Sequence, residues 1–510
     1  MQYFRFGILL ISGIFLLVGC QNKKEVKPNI VLIFADDLGY GELGCYGQKL
    51  IETPNLDSLA RKGMRFTQFY TGSPVCAPSR CVLLTGLHTG HAFVRGNDEM
   101  AEKGDVWDYA KAVNDPNLEG QRPLPDSVFT MGDLLQNAGY KTAIVGKWGL
   151  GGPTSESIPN TQGFDFFYGY NCQRQAHNLY PMHLWKNKEK DLLDNELVRP
   201  GTMLDSAADP YDLKSYSKYI QHDYAPERMQ DETLQFIERN KENPFFLYYA
   251  TPLTHVPLQV PQEYIDYYVK KFGDEQPYTG GNGYFPNRYP HAAYAAMVSY
   301  LDSQVGEIVQ KLKNLGIYEN TLIMFTSDNG PTFNGGTDSP FFESGGPFRS
   351  ERGWGKAFVH EGGIRAPFIA AWDGKIKPGT TSDLISATWD LMPTFAELSG
   401  GTIEGKTDGI SLVPELLGEG DQPRHEFLYW EFPSYGGQQA VRMGNWKGIR
   451  KNLILLNDKD VKLFNLENDP AESTDVAGQN QEIVNQISRI MEEQHETPAI
   501  DKFLMPVLEE

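Results

Sequence analysis

The chain is poor in cysteine, short of positive charge and without an apolar run long enough to span a membrane. Five cysteines in 510 residues cannot staple a fold of this size. No Cys-x-x-Cys pair and no zinc-like spacing occurs among Cys20, Cys45, Cys76, Cys81 and Cys172. Acidic residues outnumber basic ones, 66 to 46, for a formal net charge of -20. That balance argues against nucleic acid or another polyanion as the main partner. A small anion stays within reach if a metal ion and a few cations control the field locally. There is no internal repeat and no low-complexity tract. The remaining composition is that of an ordinary globular chain, long enough for a large core and more than one folding unit.

The N-terminal apolar run, Phe6 to Gly19, has fourteen residues and follows Arg5. It reads as a targeting segment rather than a transmembrane helix. It ends in Leu17-Val18-Gly19-Cys20, which resembles a bacterial lipoprotein cleavage box. In that class residues 1–19 are a signal peptide, Cys20 is the lipidated first residue and residues 20–27 form a tether. The resemblance implies a protein exported and anchored by lipid to a bacterial membrane, at the periplasm or the cell surface. Gln21 after the cysteine fits the outer membrane or surface. An ordinary secretory signal with an incidental cysteine is the alternative.

Short apolar runs at Asn29–Phe34, Thr142–Val145, Phe245–Ala250, Thr321–Thr326 and Pro367–Trp372 predict buried parallel strands. Between them, Leu56–Lys62, Met131–Ala138, Arg228–Asn240, Ala293–Leu315 and Thr388–Leu398 have helical periodicity. Alternating strands and helices predict an α/β class, a large mostly parallel mixed sheet sandwiched by helices. Composition shifts near Gly400–Gly420. Beyond it, Phe427–Phe432, Ala440–Met443, Trp446–Arg450 and Lys462–Asn465 predict an antiparallel sheet, and Gln481–Gln494 a helix. The expected units are a catalytic domain over residues 28–400 and a smaller C-terminal α+β subdomain over 420–510. Long irregular stretches, such as Gly149–Pro226 and Gly330–Gly353, could wall a pocket.

Polar residues cluster just after the predicted strands, where open parallel sheets bind ligands. Asp36 and Asp37 follow the first strand, Lys147 the second, His255 the third, and Asp328 and Asn329 the fourth. Asp36, Asp37, Asp328 and Asn329 offer hard oxygen ligands of the kind that suit calcium, with magnesium as the lesser alternative. Cys76 opens a predicted helix, with Pro78 tolerated in the first turn. The free N–H groups and positive dipole end of such a helix suit an anion. Arg352 and Lys356 precede Glu361-Gly362-Gly363-Ile364-Arg365, and lysines on a metal-bearing rim would cradle charged oxygens.

Cys76-Ala77-Pro78-Ser79-Arg80, with Thr85-Gly86, matches the Cys-x-Pro-Ser-Arg…Thr-Gly pattern. Further blocks accompany it in order: Asn29-Ile30-Val31…Asp36-Asp37, Thr53-Pro54-Asn55-Leu56-Asp57, Gly146-Lys147-Trp148, Thr326-Ser327-Asp328-Asn329-Gly330 and the Glu361–Arg365 block. In the tail, Arg442–Lys447 and Leu463–Leu466 with Asp469-Pro470 fit as well. Together the chain resembles a type I, formylglycine-dependent sulfatase, arylsulfatase-like, of the alkaline phosphatase superfamily. The resemblance implies an enzyme that hydrolyses sulfate monoesters. It implies that a maturation enzyme converts Cys76 to formylglycine, and that calcium sits on Asp36, Asp37, Asp328, Asn329 and an oxygen of residue 76. Lys147, Lys356 and Arg80 would offset charge on sulfate and nucleophile, and His255 would protonate the leaving alcohol.

One position departs from the family. Lys147-Trp148 is followed by Gly149 where a histidine is common. His177, in an aromatic-rich loop with Arg174, is the expected substitute, with His183 and His91 behind it. Arg174, His177, His91, Arg95 and Asn97 are the expected substrate-pocket residues. A sulfated glycan, carrying galactose or N-acetylgalactosamine sulfate, is the expected substrate. Two rival readings are a phosphodiesterase or phosphonate hydrolase of the same superfamily, and a non-catalytic glycan-binding lipoprotein.

Overall fold

A computed structural model of the protein describes residues 27–509. The expected signal segment, the lipidation site at Cys20 and all of the tether but its last residue lie outside the described residues. In chain order the strands are β1 (Asn29–Ala35), β2 (Met64–Phe66), β3 (Phe69–Tyr70), β4 (Lys141–Lys147), β5 (Phe166–Tyr170), β6 (His183–Lys186), β7 (Glu189–Leu192) and β8 (Phe245–Ala250). They continue as β9 (Thr321–Ser327), β10 (Phe368–Ala371), β11 (Thr380–Ser382), β12 (Ser386–Ala387), β13 (Leu428–Phe432), β14 (Gln438–Met443), β15 (Trp446–Lys451) and β16 (Lys462–Asn465). The helices are α1 (Pro54–Lys62), α2 (Cys76–Thr85), α3 (Tyr109–Asn114), α4 (Met131–Asn137), α5 (Ala225–Asn240), α6 (Gln262–Phe272), α7 (Pro290–Asn314), α8 (Glu361–Ile364), α9 (Leu391–Ser399), α10 (Val413–Leu417) and α11 (Gln481–Glu493).

Ten strands form one mixed sheet in the order β11-β2-β10-β9-β1-β8-β4-β5-β6-β7. Its centre is parallel: β1 pairs with both β8 and β9, and β4 with β8 and β5. The run at 367–372 is a correction to expectation, because β10 lies antiparallel to β9. Its apolar sequence reported burial, not direction.

β1 explains why the central strands read as unbroken hydrophobic runs. Ile30, Leu32 and Phe34 enter one apolar layer, and Val31, Ile33 and Ala35 enter the other. Helices α2, α4 and α9 cover the first layer, and α1, α5, α6 and α7 the second. Full burial of each such side chain contributes about 1.5–3 kcal/mol. Local signals agree with the packing. Thr130 and Asp133 form a reciprocal capping box that starts α4, and α7 begins at Pro290.

A separate four-stranded antiparallel sheet, β13-β14-β15-β16, carries α11 on one face. The other face sends Trp430, Phe432, Ala440, Ile449 and Phe464 into the same apolar layer as α2. No helix among the described residues is long and apolar enough to cross a membrane.

Candidate active site

The C-terminal end of β1 is gripped by the segments that follow its two neighbours. Asp36 N–H donates to Leu253 O, and Thr254 N–H returns a bond to Asp36 O, each at 2.7 Å. On the other side Asp328 N–H donates to Ala35 O at 3.0 Å. The parallel pairing therefore brings His255 and Asp328 to flank Asp36 and Asp37. Asp37 takes a left-handed backbone turn, φ 62°, and its N–H donates to Asp328 Oδ1 at 3.1 Å. Non-glycine residues adopt that conformation at a cost that the surrounding bonds must outweigh.

Helix α2 points its N-terminus into this cluster. Cys76 is its first residue, with Sγ 3.4 Å from Asp36 Oδ1 and 3.6 Å from Lys356 Nζ. Val75 offers no side-chain cap; Asn97 Oδ1 instead accepts Ala77 N–H at 3.1 Å. One turn on, Arg80 lies fully buried. Its Nη2 donates to Asp328 Oδ2 and its Nη1 to Lys147 O, both at 2.9 Å. Lys147, from the end of β4, reaches Asp36 Oδ2 at 2.5 Å. Lys356 contacts both oxygens of Asp37, at 2.6 and 2.8 Å. His255 Nε2 is 3.6 Å from Asp37 Oδ2, and its Nδ1 faces Val256 O at 2.5 Å. The nine residues expected at the catalytic and metal positions thus meet at one buried spot, Asn329 joining through Asp37.

Its electrostatics follow from burial and mixed charge. Burial works against the Asp36 carboxylate, but Lys147, His255, Arg80 and Lys356 outweigh it and hold Asp36 well below the usual range. Burial, then Asp36, pushes Asp328 up to about 7 despite Arg80 and Lys147. Asp37 is raised by burial and by Asp36, against Lys356. Burial opposes the charge on Lys147 and Lys356, yet the carboxylates keep both above the ordinary lysine value. Burial, with Lys356 and Lys147, drives His255 far below its usual value. Burial and Asp36 push the Cys76 thiol up, beyond what Lys147 and Lys356 offset. An unaltered Cys76 therefore stays a thiol, and a thiol is a poor nucleophile.

The donor set fits a hard divalent cation. Three desolvated carboxylates converge, and Asn329 Oδ1 is a buried acceptor with no hydrogen-bond partner. Asn329 Nδ2 donates to Asp37 Oδ1 at 2.7 Å, which fixes the amide beside the carboxylates. Asp36, Asp37, Cys76 and His255 also come within mutual ligating distance.

The outer residues divide. Asn97 sits at the α2 N-terminus. The His177 ring stacks on His255 with centroids 5.1 Å apart and planes 7° apart, and Tyr284 packs edge-on against both rings. Space beside Gly149 is filled: a Cβ there would lie 2.4 Å from Gln173 Nε2. Arg174 donates to Glu99 at 3.3 Å and covers the Trp107 ring. His183 pairs with buried Glu119. Arg95 is turned to Glu431, 2.5 Å, and His91 to Asp408, 2.9 Å, beyond the far end of α2. Tyr284, Gln173 and Gln438, whose amide clasps the Lys356 segment, have no sequence signal. They lie in irregular segments or at a strand's first residue.

His88, His91 and Asp408 form a second group at ligating distances. Gly90 N–H donates to His88 Nδ1 at 3.2 Å, so the ring proton sits on Nε2, which faces Gln494 Oε1 at 3.2 Å. A metal at Nε2 would displace that proton and leave Nδ1 opposed to an N–H. The group is a hydrogen-bonded clasp.

The family model described as sulfatase matches residues 28–401. A second, described as N-sulphoglucosamine sulphohydrolase, C-terminal, matches residues 350–497. Human arylsulfatase A is 34% identical over 431 residues, covering 82% of this chain and 74% of the relative. The N-acetylgalactosamine-6-O-sulfatase of Bacteroides thetaiotaomicron is 29% identical over 556 residues, covering 95% and 97%. Among solved structures, Ps i-CgsB superposes with a TM-score of 0.71 at 27% identity, covering 93% of this chain and 94% of the other. That protein has also been solved in complex with k-i-k-neocarrahexaose.

Proposed function

We infer the reaction from one premise: the chain belongs to the sulfatase family, within the alkaline phosphatase-like superfamily. It is accordingly a sulfuric ester hydrolase. We propose that its nucleophile is formylglycine made from Cys76, that its metal is calcium, and that its substrate is a glycan bearing galactose or N-acetylgalactosamine sulfate. The observation that carries this reading is the placement of Cys76 at the α2 N-terminus, against Asp36 and Lys356.

Formylglycine at 76 would supply a geminal diol, one hydroxyl to attack sulfur and one whose deprotonation expels sulfate without a second attack. Asp36, Asp37, Asp328 and Asn329 would hold calcium, which polarises and orients the sulfate when bound. Lys147 and Lys356 offset the charge on the sulfate oxygens, aided by the α2 dipole. Arg80 fixes Asp328 and the Lys147 backbone. His255, its Nδ1–H held by Val256 O, presents Nε2 to carry the proton for the departing alcohol. Gln173 occupies the space beside Gly149, and His177, stacked on His255, is the ring proposed to take the diol proton. The N-acetylgalactosamine sulfate assignment is supported by the names of the relatives.

The test is mass spectrometry of the peptide spanning residue 76, with release of free sulfate from N-acetylgalactosamine 6-sulfate by wild type and Cys76→Ala. The expected result is a converted residue 76 and sulfate release that the variant loses. An unconverted cysteine in a protein that still releases sulfate would sink the nucleophile. Faster turnover of an aryl phosphate than of an aryl sulfate would sink the sulfate reading. We also propose export and lipid anchoring at Cys20; a Cys20→Ala protein that still sediments with membranes would contradict it.

A further inference from the structure

Gln438 links the C-terminal sheet to the segment that carries Lys356. Gln438, the first residue of β14, donates from Nε2 to Ala357 O at 3.0 Å, and its Oε1 accepts Val359 N–H at 3.2 Å. These bonds bracket Phe358, two residues past Lys356. Ala357 N–H in turn donates to Pro74 O at 2.8 Å, two residues before Cys76. The turn joining β13 to β14, residues 433–437, therefore stands beside the lysine that faces the nucleophile.

That turn lifts an aromatic ring into solvent. Tyr435 is 55% exposed, although its ring lies 5.5 Å from Phe358 and 6.3 Å from Phe432. Phe358 continues to Phe333 at 6.5 Å, on the loop after Asn329. A second loop supports the turn: Ile454 N–H donates to Gly436 O at 2.8 Å, and a Cβ on Gly436 would lie 3.1 Å from Leu455 Cδ1. Leu455 is 70% exposed. Exposed apolar side chains grouped beside a polar cluster are the kind of surface that lines a ligand-binding groove. Aromatic faces take the C–H face of a sugar ring, and Tyr adds a hydroxyl at the edge.

We propose that Tyr435, backed by Phe358, is the platform for a second sugar, the neighbour of the one that bears the sulfate, so that the enzyme prefers an oligosaccharide to a monosaccharide. This rests on the glycan reading above and extends it to chain length. The occupant is the substrate's own chain, because the platform is continuous with the Lys356 segment.

The test compares N-acetylgalactosamine 6-sulfate with a tetrasaccharide carrying that sugar at its non-reducing end, using protein from a host that modifies residue 76. Wild type should have the lower KM for the tetrasaccharide. Tyr435→Ala should raise that KM roughly tenfold with kcat nearly unchanged, and leave monosaccharide turnover as it was. Tyr435→Phe should keep most of the preference, and a far-ultraviolet spectrum matching wild type excludes misfolding. Equal effects on both substrates, or none, overturn the platform. No effect on either, combined with loss of co-sedimentation with phosphatidylethanolamine vesicles, would assign the patch to a lipid surface instead. Failure of wild type to release sulfate from either saccharide would overturn the glycan reading itself, and the platform with it.

Discussion

Single positions set the limits of this site, and residue 149 shows how. Gly149 has φ 78°, and a Cβ there would collide with the Gln173 amide. Gly149→His therefore does not restore the commoner family arrangement. Backbone strain and overpacking each cost on the order of 1–3 kcal/mol. The expected outcome is a lower thermal midpoint and no gain in kcat, measured by calorimetry and sulfate release. A stable, faster variant would show that Gln173 yields easily and that the histidine's place was kept open. The convergence of Asp36, Asp37, Asp328 and Asn329 with Cys76 was legible in sequence because each follows a hydrophobic run or sits in a dense motif. Gln173 was not, because nothing in a sequence reports which side chain fills the room left by a missing one. Nor did it separate Asn97, at the α2 N-terminus, from His91 and Arg95, which find partners elsewhere.

At the scale of the element, α2 has two ends with different tasks. Its start holds Cys76, against Asp36 and Lys356. Ten residues span about 15 Å, and beyond the far end His88 ties the helix to the end of α11 through Gln494. Burial, with His91 adding to it, lowers His88 to about 4. The folded form therefore stays neutral while the unfolded chain takes a proton below pH 6.5. Stability from this group is present above pH 6.5 and lost as pH falls toward 4. Between pH 7.5 and 4.5 the loss is on the order of 2–3 kcal/mol. Denaturant unfolding at both pH values should show wild type losing that much more than His88→Gln; equal slopes would disprove the clasp. Element-level reading succeeded for β1, β4, β8 and β9 and for most of the long helices, whose apolar pattern is sustained. It missed β2, β3, β11 and β12, which are two or three residues long and too brief for periodicity. It also missed β5 and the β6–β7 hairpin, inside a stretch read as irregular, and the eleven-residue α6.

Across the whole molecule, a buried charge network bolts the four-stranded sheet to α8 and β3. Lys447 on β15 contacts Glu361 at 2.8 Å and Glu472 at 3.2 Å, and Arg365 and Tyr70 reach the other Glu361 oxygen. Burial opposes the Glu361 charge, but Lys447, Arg365 and Arg442 pull it down to about 2. Lys447→Met strands two buried carboxylates and should cost about 3–5 kcal/mol. Calorimetry should show one transition moving as a unit. Two separate transitions, only one of them shifted, would mean the sheets fold independently. The shared apolar layer under β14 argues for one. The same large-scale wiring constrains the protein's birth. Cys76 keeps 2% of its surface open, and Asp37 and Asp328, whose union helps wall it in, are 291 residues apart along the chain. A partner that converts Cys76, as proposed above, would have to reach it while the polypeptide is still slack, before β9 docks on β1. Chemical maturation would then compete in time with folding.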